Sequence, residues 1–111
     1  ALVLMNDPTF VEAARSLAVR TMLRDAVDDA ARVEWMFTAV TARQPGPEEL
    51  ETMVQLIADQ RIRFRGRPGD AGKLLSVGQS PLDQRVDVVE QAAWTALASV
   101  LLNTDEAITR E

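Results

Sequence analysis

Apolar residues along this chain return every three to four positions, the spacing of a helix that buries one face. After Asn6-Asp7-Pro8, where Asn6 or Asp7 suits a cap and proline suits a first turn, Phe10, Ala14, Leu17, Ala18 and Thr21 keep that spacing. They predict a first helix over about Pro8 to Arg24, with Arg15, Arg20 and Arg24 on other faces. Asp28 and Asp29 favour the start of a second helix, since carboxylates complement the positive end of the helix dipole. Val33, Met36, Phe37 and Val40 form its stripe, and Trp35 lies off it on a flank. That helix is expected to stop near Arg43, before Gln44-Pro45-Gly46-Pro47.

Pro47, Glu48 and Glu49 open a third helix, which Leu50, Met53, Val54, Ile57 and Phe64 carry to about Arg65. From Gly66 to Gln84 the glycines and prolines predict an irregular stretch, with Ala71 to Val77 as a short helical turn. After Asp87, Val89, Ala93, Trp94, Leu97, Ala98 and Leu101 predict a further helix to Leu102, closed at Asn103. Thr104-Asp105-Glu106 suits the start of one more short turn. No stretch alternates as a strand does. The reading is all-α: a small four-helix bundle or an irregular helical array, with a long loop between the third and fourth main helices.

At 111 residues one domain over 1–111 is expected, and 47% hydrophobic with 26% charged residues is ordinary for a globular chain. Ala1 to Met5 reads as the last turn of a helix that begins upstream, so the chain reads as a C-terminal piece of a longer protein. The net charge of −5 argues against nucleic acid as a partner, because affinity for a polyanion comes largely from neutralising phosphates. No apolar run approaches the ~20 residues that span a bilayer. With neither cysteine nor histidine, the chain lacks thiol nucleophiles, the commonest general base and the usual transition-metal and haem ligands. No catalytic residue, metal ligand or cofactor is assigned.

The sharpest local chemistry is Arg61-Ile-Arg-Phe-Arg-Gly-Arg67. Arg61, Arg63, Arg65 and Arg67 are a candidate anion site, since guanidinium groups pair with planar oxyanions. The competing reading is a helix C-terminus whose cations complement the dipole, and helical spacing spreads these four over different faces. Trp35 is a candidate interface residue because it sits off the apolar stripe.

Three segments carry a resemblance: Leu2 to Arg15, Phe37 to Leu50 with its Arg43-Gln-Pro-Gly-Pro-Glu-Glu-Leu50, and Ala93 to Glu106 with its Leu-Leu-Asn103. They resemble the C-terminal part of the planctomycete-type secreted proteins classed as domain-of-unknown-function family 1553. The chain departs from that pattern at Gly46, where a serine or threonine cap is usual, and at Ala107, where phenylalanine is. The resemblance implies a large exported parent protein, often with an upstream cytochrome-c-like domain. It also implies a link to the breakdown of complex, often sulfated, polysaccharides. The implied partners are the upstream part of the parent, and a protein or a sulfated glycan. The Cys-Xaa-Xaa-Cys-His segment that holds haem in such relatives is absent. The expected role is that of a non-catalytic structural or partner-binding domain. The alternative is an anion-binding surface lent to a polysaccharide-processing or redox enzyme.

Overall fold

A computed structural model describes residues 8–77 and 81–104. Five helices run along them: α1 (Pro8–Met22), α2 (Asp29–Thr41), α3 (Pro47–Gly66), α4 (Pro68–Ser76) and α5 (Val88–Leu102). The described residues contain no strand. The expected helix end at Ala1–Met5, the caps Asn6 and Asp7 and the turn at Asp105–Glu106 lie outside the described residues.

Local chemistry sets most helix starts. The Asp28 side chain accepts a hydrogen bond from Ala31 N–H at 2.9 Å and opens α2. Asp87 does the same for α5, accepting from Glu90 N–H at 3.1 Å. At α3, Gly46 brings no side chain, and Glu49 turns back to accept from Gly46 N–H at 2.8 Å. That interaction is one half of a capping box. Arg43 closes the turn, donating from Nη1 at 3.0 Å and Nη2 at 2.8 Å to the two oxygens of Glu49. The guanidinium of Arg43, and then the Gly46 amide, hold the Glu49 carboxyl down at about 2. The turn motif thus has a structural reason for its arginine and its second glutamate.

The end of α2 carries a local cost. Ala42 has φ 64° and ψ 19°, the one non-glycine residue at positive φ among the described residues, and its N–H reaches Thr38 O at 2.9 Å. A Cβ in that region meets the following carbonyl oxygen, whereas glycine occupies it freely. Ala42→Gly is therefore expected to stabilise the protein by about 0.5–1 kcal/mol. Thermal unfolding checks this, as a midpoint raised by a few degrees; a lowered midpoint contradicts it.

The first half of the stretch expected to be irregular, Gly66 to Gln84, is helical, and the short turn expected at Ala71 to Val77 falls largely within α4. Proline at its first position starts α4, and Ala71 and Leu75, one turn apart, are both fully buried. They pack with Phe64 of α3 and Ala92 of α5 in a satellite cluster. Nine residues with two internal glycines make a poor isolated helix, so burial of that pair holds it. The described residues therefore form an array of five helices, with the expected short turn as α4.

α5 is central and packs against each of the other four. Gln91 to Thr95 are buried without a break, as in a helix surrounded on all sides. Ala92, Ala93, Ala98 and Ser99 keep its flanks thin, and Trp94 and Leu97 fill the space between them with no exposed surface. The main core joins Leu17, Val33, Met36, Phe37, Ile57 and Trp94.

Candidate functional site: an arginine cleft

The stripe of α1 holds the expected Ala14, Leu17, Ala18 and Thr21 and is wider than expected on one side. Phe10 is only half-buried, Val11 is buried, and Arg15, expected on another face, is buried as well. Val11, Arg15 and Ala18 follow i, i+4, i+7 spacing, and this was the signal available in the chain. A charged residue in such a stripe is ordinarily assigned to its edge, so only packing reveals it.

Arg15 has 6% of its side chain exposed and faces a cleft of about 290 Å³. Glu12, Arg15 and Arg20 form one wall, and Asp83, Arg85 and Gln91 stand opposite. The segment before α5 is fixed by Gln91, whose side-chain amide donates to Asp83 O at 2.7 Å and Val86 O at 2.9 Å. This segment carries Pro81, whose carbonyl accepts from Arg15 Nη2 at 3.1 Å. Arg15 Nε and Nη1 have no hydrogen-bond partner among the described residues. Glu12 Oε1 lies 3.7 Å from Nη1, close enough to attract and too far to accept a hydrogen bond.

A buried guanidinium with idle N–H groups is costly, because the desolvated donors regain nothing from the protein. Across the cleft, Arg85 grips Asp83 from Nη2 at 2.7 Å and Nε at 3.1 Å. That pairing, joined by the Arg85 backbone N–H, holds the Asp83 carboxyl down at about 2. Asp83 and Arg85 neutralise each other, Glu12 stands against Arg15, and the charge of Arg20 is left over. The lining of the cleft therefore carries one net positive charge.

The arginines expected to form an anion site take different places. Arg61 is committed to two carboxylates on other helices. Its Nη1 and Nη2 donate to the two oxygens of Asp29 on α2, the Nη2 bond at 2.9 Å. Its Nε and Nη2 donate to Glu90 on α5 at 2.7 and 2.8 Å. Arg63 lies over the ring of Phe64 with 4.9 Å to the centroid. Arg65 and Arg67 are exposed, and Arg67 forms the joint between α3 and α4. Alternate residues on a helix stand about 200° apart, so the four do not converge. Trp35 is half-buried: it packs against the main core, and the guanidinium of Arg24 covers its ring at 4.6 Å. Among the described residues no group of three or more carboxylates is arranged to hold a metal ion, and no helix is long and apolar enough to cross a membrane.

Helices alone, gathered around a central α5, define an all-α domain. The chain belongs to the family PSD1, a protein of unknown function (DUF1553), whose model matches residues 1–57. The match takes in Arg15, the Arg43–Glu49 turn and the first half of α3, while Asp83, Arg85 and Gln91 lie beyond it. No curated protein and no solved structure matches the chain.

Proposed function

We propose that this chain is a non-catalytic helical domain at the C-terminal end of a large exported protein, and that it binds a partner through the Arg15 cleft. The observation that carries the reading is a nearly buried Arg15 guanidinium, fixed by the Pro81 carbonyl, in the wall of an open cleft whose charged lining sums to one positive charge. Such a lining supplies positive charge for recognition. The family match and the apolar, off-stripe position of Trp35 support a domain that works against a neighbouring part of its parent.

Calorimetric titration of this domain with the separately expressed upstream part of the parent tests the reading. Saturable binding is expected, weakened about tenfold or more by Arg15→Lys, which keeps the charge and loses the planar fork. Binding that ignores Arg15 overturns the cleft as the contact and directs attention to Trp35. Turnover of a substrate by the domain alone overturns the non-catalytic role.

A further inference from the structure

We infer that the outer face of α3 pairs, antiparallel, with the same face of a second copy of this chain. The helix is 20 residues long, or about 30 Å, and its buried residues are Met53, Ile57 and Phe64. On the opposite side Glu48, Thr52, Gln55, Asp59 and Ile62 follow one another four and three positions apart, and all five are exposed. That spacing keeps one stripe turned toward a neighbouring helix along its whole length. Ile62 keeps 70% of its surface exposed, the most of any large apolar residue in the described helices, and it stands between Arg61 and Arg63.

Charge names the occupant. Glu48 and Glu51 stand on the N-terminal half of this face, and Arg63 stands at its C-terminal end, one turn beyond Asp59. Among the described residues Glu48 and Glu51 are paired with no cation, and Arg63 with no carboxylate. Acids at a helix start and bases at its end complement the dipole in any helix. That ordinary role accounts neither for Glu51, which lies beyond the first turn, nor for the exposure of Ile62.

An antiparallel copy sets acid against base at both ends of the pair. The register that brings Ile62 of one copy to the height of Thr52 of the other brings Arg63 to the height of Glu51 and within a turn of Glu48. Two shallow depressions meet at Thr52, with Met53 and Leu56 in their apolar lining. The acid-rimmed hollow of each copy thus receives the arginine-flanked isoleucine of the other, as a two-fold interface requires. Asp59, the like charge nearest the axis, already accepts from Gln55 of its own copy at 2.9 Å. No residue of this face lines the Arg15 cleft, so the two surfaces are independent.

One helix pair with a largely polar face is a small interface, so the dimer should be weak, in the micromolar range, and sensitive to salt. Sedimentation equilibrium of the full chain tests it. The average mass is expected to climb toward twice the monomer mass between micromolar and millimolar concentration, and to climb less in high salt. Arg63→Glu and Glu51→Arg, each checked for folding by circular dichroism, should each weaken the dimer about tenfold or more, because like charges then face each other. An equal mixture of the two variants should dimerise again, since each position 51 once more meets an opposite charge at position 63. Ile62→Ser should weaken the dimer about tenfold. A mass that stays at the monomer value overturns the inference, as does a dimer indifferent to both charge reversals or a mixture that is no tighter than its components. A monomeric chain whose binding to the upstream part of the parent is lost in Arg63→Glu assigns this face to the parent and also overturns self-pairing.

Discussion

Replacing Trp94 with alanine is expected to remove about 4 kcal/mol of stability, the largest single effect in this protein. Trp94 is fully buried on the helix that packs against all the others, in the cluster that joins α1, α2, α3 and α5. Truncation loses the transfer of a large aromatic group and leaves a cavity that α5 cannot collapse into without moving four neighbours. A domain of this size holds roughly 5–15 kcal/mol in all, so the variant should be only marginally folded. Urea unfolding followed by circular dichroism gives the answer, as a midpoint shift at unchanged slope. A loss under about 1 kcal/mol contradicts the central position of Trp94, because large-to-small changes at well-packed sites cost more than that.

Arg61→Ala should cost about 2 kcal/mol, the next largest effect. Arg61 is the one group that ties Asp29 of α2 and Glu90 of α5 to α3, through paired hydrogen bonds on both sides. Without it, two carboxylates face each other with no cation between them. Breaking a fully buried pair costs about 3–5 kcal/mol, and the figure is reduced here because the three side chains keep between 20% and 30% of their surface exposed.

The same cluster sets a pH dependence. Hydrogen bonding to Arg61 holds the Asp29 carboxyl below its usual value, against the opposing effect of burial. A carboxyl depressed in the folded state contributes stability that is fully present above its unfolded value, near 4, and is lost as pH falls through the lower folded value. The penalty of Arg61→Ala should therefore be largest above about pH 5 and shrink toward pH 3. Unfolding free energies measured at several pH values decide the matter; a penalty that stays constant with pH removes the Asp29 interaction from the account.

The sequence itself makes the main helices legible because their signals are local. Asp28 caps the residue three positions on, Pro47 and Glu49 start α3 within one turn, and the stripe of Val33, Met36, Phe37 and Val40 repeats within one helix. Each depends on neighbours within about four residues, the reach of a helical turn. The same holds for the α5 pattern through Trp94 and Leu97, and for the motif that marks the family.

The candidate site was not legible in that way. Arg15 meets Pro81 across 66 positions, and Arg61 meets Glu90 and Asp29 across 29 and 32. No local spacing encodes such pairs. In the chain Arg61 heads a run of alternating arginines and reads as part of an anion site, whereas the fold turns it inward to two carboxylates. Arg15 reads as one of several surface cations, whereas α5 and the segment carrying Pro81 enclose it. The helix α4 is an intermediate case: Pro68 and the spacing of Ala71 and Leu75 were visible, but two glycines weaken the local preference and Phe64 and Ala92 supply the burial. The sequence by itself determined that the chain is helical, where most helices begin and end, and which family it belongs to, since capping, turn chemistry and apolar periodicity act over a few residues. Only the tertiary structure decided which arginine stabilises the fold and which faces an open cleft, because burial and pairing of charge depend on what distant segments bring alongside.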